Sequence, residues 1–251
     1  MRAYPIDRIG GGYHPRLTHP ETQSRGLVRR LSLGFVICVL SGVFLSCMVV
    51  LPLRWIDPPT TAFMLQDDSG WETIRYDWSA WSDVGVAPPI AVVAAEDQKF
   101  SSHFGFDLKS IQQSVEEHAD GASLRGASTI TQQVAKNLYL WSGRSFIRKG
   151  IEAYFTVLLE VALSKKRILE IYLNIAEFGP GIYGVRAASE TYFGKAPTEL
   201  TDAEAALLAA VLPNPKRLHV GNPSAYVRQR QSWIMQQMQR LRRERWINSL
   251  Q

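Results

Sequence analysis

Glu96 and Asp97 stand side by side in EDQKFSSHFGFD, residues 96–107, at the end of an apolar run, Ile90-Ala91-Val92-Val93-Ala94-Ala95. If that run is helical, Val92 and Val93 precede Glu96 by one turn and Phe100 follows it by one turn. Glu96 then shares its stripe with apolar residues, while Asp97 and Lys99 turn elsewhere. A carboxylate on such a stripe loses hydration, and its pKa rises. That suits a group that exchanges a proton near neutral pH. An ordinary amphipathic helix whose first polar residue is acidic would give the same pattern.

Four further stretches stand out, the first of them suited to an anion. Residues 126–137, GASTITQQVAKN, form a glycine-led entry into a helix, where backbone N–H groups and the positive end of the dipole face outward. Ser128, Gln132 or Gln133, and Lys136 would add donors on its first turns. In RKGIE, Arg148 and Glu152 are four apart and share a helix face. A solvent-exposed ion pair is the usual meaning of that spacing, and a functional one needs Glu152 to face Glu96 across a cleft. Residues 165–174, KKRILEIYLN, open with three basic residues that read as a solvated helix start. Residues 184–195, GVRAASETYFGK, carry small residues that invite close packing.

The elements that must position these groups are mostly helices, so the class is mainly α. Ser128 can cap a helix running to about Tyr139. Residues 146–163 place Ile147, Ile151, Tyr154, Phe155, Leu158 and Leu159 on a 3.6-residue period. Ser164 can cap the next helix, with Ile168, Leu169, Tyr172 and Leu173 inward. Gly179-Pro180-Gly181 breaks the chain, and a short helix over residues 185–193 ends at Gly194. Thr201 or Asp202 can cap residues 203–212. A last helix over residues 223–246 is basic towards its end.

Ahead of the domain, residues 31–53 carry no charge and are long enough to span a bilayer as a helix. Arg54 and Trp55 close the run, and six arginines precede it, which places the N-terminus in the cytoplasm. Residues 1–30 read as a basic cytoplasmic tail and residues 54–87 as a connector. The domain itself would occupy residues 88–251. The net charge of +5 and pI of about 9.3 suit an anionic partner without naming it. Cys38 and Cys47 both fall in the apolar run, so no disulfide framework is expected, and no Cys/His cluster has zinc-ligand spacing.

In order and spacing, EDQKFSSHFGFD, GASTITQQVAKN, RKGIE, KKRILEIYLN and GVRAASETYFGK resemble the motifs of the peptidoglycan glycosyltransferase domain, glycosyltransferase family 51, over roughly residues 85–215. PPTTAFML at 58–65 looks like the monofunctional biosynthetic members. The second domain of the bifunctional members is not expected, because no Ser-x-x-Lys or Lys-Thr-Gly appears and the chain ends soon after. The resemblance implies a lysozyme-like fold of two lobes, the mobile one over residues 108–125. It implies that lipid II is polymerised into β-1,4-linked glycan, with inversion at MurNAc C1 and release of undecaprenyl diphosphate. Glu96 then matches the general base and Glu152 the second essential carboxylate. Asp97, Phe100, His103, Ser128, Thr129, Gln133, Lys136, Asn137, Arg144, Arg148 and Lys149 match substrate-binding positions.

Two roles stay open for Glu152: orienting these cations, or helping to hold a divalent ion, Mg or Mn, at the diphosphate. The implied partners are lipid II, the growing strand, the membrane and other cell-wall synthesis or division proteins, with no nucleic acid. The implied location is the bacterial inner membrane, single-pass, with the domain in the periplasm. A lysozyme-type hydrolase would share the helices and the glutamate, but it needs no diphosphate site. A non-catalytic cell-wall scaffold would need neither Glu96 nor Glu152.

Overall fold

The computed structural model describes residues 21–109, 112, 128–143, 145–244 and 246–250. Residues up to Leu45 form one unit, and Ser46–Gln251 form another. Helix α1, Glu21–Val50, carries the apolar run. The segment Arg29–Arg54, 26 residues with mean hydropathy 2.6, is long and apolar enough to cross a membrane.

In the second unit, α2 (Ala62–Leu65), strand β1 (Arg75–Tyr76) and α3 (Trp81–Val84) lead into α4, Ala87–Glu96. Met64 and Val84 from this leading stretch are core residues. Pro88 and Pro89 sit in the first turn of α4, where a missing N–H costs nothing. Every residue from Ala87 to Ala94 is buried. Such a helix has no outer face, so Glu96 does not share a stripe with a solvated side. It is the last residue of a rod buried from Ala87 to Ala94. The helix stops there, and Phe100 opens a short 3₁₀ turn, Phe100–Ser102, instead of continuing the α-helical face.

Helix α5, Ile130–Tyr139, is capped by Thr129, one residue later than expected: Thr129 and Gln132 form a reciprocal capping box. Helix α6, Phe146–Ala162, starts at Ser145, whose hydroxyl accepts from the Arg148 N–H. Its polarity is inverted. Glu152, Thr156, Leu159 and Glu160 are buried. Phe146, 98 % exposed, and Ile147, Tyr154, Val157 and Val161 face outward. Of the apolar positions expected on the 3.6 period, Leu159 is buried, and Phe155 and Leu158 pack partly against the core.

Helix α7, Lys165–Ile175, is capped by Ser164 and buries Ile168, Leu169, Tyr172 and Leu173, as its period implies. Of its three basic residues, Lys166 is exposed as expected, but Lys165 and Arg167 are drawn into the structure. Lys165 donates to the buried Glu160 at 2.7 Å and lies over the Phe100 ring at 4.5 Å. Arg167 donates to the Leu53 carbonyl at 2.8 Å, to Asp57 at 2.7 Å and to Glu170 at 2.8 Å.

Strands β2 (Glu177–Gly179) and β3 (Ile182–Tyr183) form the hairpin turned by Pro180 and Gly181. The sheet order is β1-β3-β2, with β1 parallel to β3. Helix α8, Val185–Phe193, ends at Gly194 in the left-handed conformation. Helix α9, Asp202–Val211, is capped by Thr201. The last helix, α10, runs Ala225–Arg243 from a Ser224 cap, shorter at both ends than the sequence reading. It buries Val227, Ile234, Met238 and Leu241, so the three helices α4, α9 and α10 pack into one core.

Most of residues 108–125, expected as a mobile lobe, lie outside the described residues, as do residues 1–20. Gly184 shows how tightly α7 meets the hairpin. Its φ is +86°, and an added Cβ would lie 2.6 Å from the Asn174 carbonyl oxygen. Asn174 itself clasps Ser79, accepting from its N–H at 2.7 Å and donating to its carbonyl at 2.9 Å. Gly184→Ala is therefore expected to cost about 1–3 kcal/mol. A urea or thermal midpoint equal to that of the unaltered protein would contradict this packing.

Candidate active site

Glu96 leaves the C-terminal end of α4, where the helix dipole is negative. Its side chain is 13 % exposed. Gln133 Nε2 on α5 donates to Oε2 at 2.9 Å. Arg230 Nη2 on α10 donates to Oε1 at 3.1 Å and to the Ala95 carbonyl at 3.3 Å. Each carboxylate oxygen thus has one donor from a different helix. The Tyr172 hydroxyl reaches Gln133 Oε1 at 3.4 Å, which fixes which end of that amide faces Glu96. Burial raises the Glu96 pKa above its ordinary value, and Gln133, Arg230 and Lys136 offset only part of that rise.

A cavity of about 890 Å³ opens beside Glu96. Ser128, Gln133 and Lys136 line one side, and Leu212, Pro213, Tyr226, Gln229, Arg230 and Trp233 the other. Lys136 lies over the Phe63 ring at 5.2 Å, so the short helix α2 braces it. Burial pulls the Lys136 pKa down. Glu152 and Glu96 oppose that fall, while Arg148 and Lys149 add to it. Lys136 therefore feels both carboxylates and both neighbouring cations.

Glu152 is buried and met on both oxygens: Arg148 Nη1 donates to Oε2 at 3.1 Å, and Lys149 Nζ donates to Oε1. RKGIE is thus a buried carboxylate held by Arg148, 11 % exposed, and by Lys149, 48 % exposed, rather than a surface pair. Leaving the buried Glu152 without both cations would cost several kcal/mol. Glu152 does not fit as a cation ligand, since two cations already satisfy it, and no cluster of three His, Cys, Asp or Glu suited to a metal occurs among the described residues. No step is derived through a metal.

The remaining site residues of the motifs are not among those lining the cavity, or lie outside the described set. Asp97 is buried, accepts the Ile130 N–H at 3.0 Å and chelates His103 Nε2 at 2.8 and 3.0 Å. It joins the end of α4 to the start of α5. Thr129 donates to the Gly105 carbonyl at 2.7 Å. Phe100 is fully buried. Asn137 is half-buried on the last turn of α5, and Arg144 lies outside the described residues. Arg230, Gln229, Tyr226 and Trp233 were not singled out from sequence. Their one signal is spacing: 226, 229, 230 and 233 share a face of α10 that flanks its core stripe.

A desolvated carboxylate beside a half-buried cation, on the wall of a mostly helical domain, is equipped to take a proton while an anionic group is held nearby. The transglycosylase family model matches residues 70–239 of this chain. A biosynthetic peptidoglycan transglycosylase of Shewanella oneidensis is 50 % identical over 218 residues, 85 % of this chain and 94 % of that protein. Those of Stutzerimonas stutzeri and Pseudomonas putida KT2440 are each 47 % identical over 221 residues, covering 86 % of this chain and 91 % and 92 % of theirs. The chain belongs to this transglycosylase family and is a peptidoglycan glycosyltransferase.

The raised pKa of Glu96 has a thermodynamic sign. The folded state binds that proton more tightly than the unfolded chain does. The stability it contributes is complete below the unfolded value and is lost as pH rises through the folded one. Glu177 is likewise pushed up to about 7 by burial, so the difference between two proteins isolates Glu96. Glu96→Gln is expected to melt above the unaltered protein at about pH 8, with the gap closing as pH falls towards the ordinary glutamate range. A gap that widens on acidification would mean that Glu96 is held ionised rather than desolvated.

Proposed function

We propose that this peptidoglycan glycosyltransferase builds β-1,4-linked glycan from lipid II, with Glu96 as general base. The observation that carries the reading is the Glu96 carboxylate, buried and held by donors from α5 and α10 beside Lys136. The acceptor GlcNAc 4-hydroxyl gives its proton to Glu96, and its oxygen attacks C1 of the donor MurNAc. The C1–O bond to the diphosphate breaks, its electron pair leaves with undecaprenyl diphosphate, and the α linkage becomes β. Charge grows on the leaving oxygens as that bond lengthens. Fixed cations in a poorly hydrated site meet it with little reorganisation. Lys136 and Ser128 on the cavity wall are suited to that task, with Arg148 and Lys149 behind them. Glu152 holds those two side chains, so it acts through them as a positioning residue.

Two features support work at a membrane surface. One is the apolar helix segment before the domain. The other is the outward apolar stripe of α6, which water would not favour and acyl chains would. With the arginines of the tail on the cytoplasmic side, residues 54–251 lie in the periplasm, anchored at the inner membrane.

Glu96→Gln is expected to lower lipid II polymerisation by about 10²–10⁴-fold, with lipid II binding largely kept. Near-normal turnover by that variant would remove Glu96 from the role. Lys136→Ala and Arg148→Ala should weaken lipid II and diphosphate-mimicking inhibitors far more than a diphosphate-free glycan fragment. Equal losses for both ligands would assign these cations to structure alone.

Orientation is tested by fusion at Gln251. Alkaline phosphatase, which needs disulfides, should be active there, and a reporter that fluoresces only in the cytoplasm should stay dark. The reverse pattern would place the site on the wrong side of the membrane for flipped lipid II.

A further inference from the structure

Helix α10 turns two large aromatic rings towards the cavity that holds Glu96. Tyr226 is 56 % exposed and Trp233 42 % exposed, although the adjoining face of the same helix is sunk in the core. They stand seven residues apart, two turns and roughly 10 Å along the helix. Gln229 and Arg230 lie between them on the same face, and all four line the cavity. Arg230 commits Nη2 to Glu96 and the Ala95 carbonyl, while its Nε is buried with no partner. An orphan donor of this kind costs free energy unless a bound group satisfies it.

We infer that this face of α10 is a saccharide-binding platform that seats a β-1,4-linked glycan chain against the catalytic carboxylate. A pyranose ring offers an apolar face of C–H bonds and an equatorial rim of hydroxyls. The two rings supply flat apolar surfaces for the first, and Gln229 and Arg230 supply donors and an acceptor for the second. Their spacing suits sugars one disaccharide repeat apart on a single chain. A lipid tail is the poorer occupant, because an acyl chain over Gln229 and Arg230 would desolvate them without replacing their hydrogen bonds. The platform would take the end of the growing strand or the disaccharide of the incoming lipid II, which share this chemistry. The inference rests on the glycan-polymerising reading.

The test uses the full chain in detergent and a reduced GlcNAc–MurNAc tetrasaccharide without lipid or phosphate, followed by calorimetry. The tetrasaccharide is expected to bind, and Trp233→Ala and Tyr226→Ala should each weaken it by about 2- to 10-fold. Trp233→Phe, which keeps a ring, should retain most of the affinity, and thermal melts identify any variant that fails to fold. In polymerisation assays, shorter product strands from Trp233→Ala would assign the platform to the growing strand. A raised KM for lipid II at unchanged strand length would assign it to the incoming disaccharide.

Equal tetrasaccharide affinity in all four proteins would overturn the inference. So would loss of affinity for undecaprenyl phosphate alone. Binding is read without turnover, so the two readings fail separately. Tetrasaccharide bound at these rings by a protein that leaves lipid II unpolymerised would remove the proposed function and keep the platform. Polymerisation untouched by both ring substitutions, with unchanged binding, would remove the platform and keep the function.

Discussion

A carboxylate deprived of water is the constraint on which this domain depends. Helix α4 is apolar on every side, so it can exist only inside a core built by α9 and α10. Its last residue, Glu96, emerges where that core meets the cavity. Burial alone would leave the carboxylate too costly to ionise, and donors from two other helices bring it back within reach. The neighbouring Asp97 serves the same geometry differently. By accepting the first N–H of α5 it fixes the helix that carries Gln133 and Lys136 against the end of α4.

The charges of α6 obey a related logic. Glu152 and Glu160 are buried, and each is matched by basic side chains: Arg148 and Lys149 for the first, Lys165 for the second. Ionic partners of this kind are hard to remove singly, so they hold the helix in register while its other face stays apolar. Arg167 continues the arrangement towards the chain entering the domain, where it holds the Leu53 carbonyl and Asp57. Ser46 and Tyr154 add a hydrogen bond of 2.6 Å. Polar groups inside and apolar groups outside suit the proposed work on an anionic headgroup at a lipid surface.

Local rules made much of the fold legible. The caps at Ser164 and Thr201, the Gly194 stop and the inward stripe of α7 were readable because capping and periodicity act within a few residues. Ser128 was named as the α5 cap because Ser and Thr cap equally well by type. Only the partner settles the choice, and Gln132 reciprocates with Thr129. The three short strands carry too few residues for an alternation signal. The settings of Lys165 and Arg167 were hidden because all their partners except Glu170 come from other elements. Arg230 was beyond local reading altogether: it meets Glu96 from 134 positions away, on a helix whose basic residues otherwise suggest solvent. The desolvation of Glu96 was legible because an apolar run ending in Glu already implies lost hydration.

The most direct measurement is the pH dependence of kcat/KM for lipid II polymerisation, compared between the unaltered protein and Arg230→Met. This ratio reports ionisations of the free enzyme. A base desolvated and partly relieved by Arg230 should give an acid limb above the ordinary glutamate range, moving to higher pH when the guanidinium is removed. An acid limb at the ordinary carboxylate value, or one that Arg230→Met leaves in place, would contradict the account of Glu96.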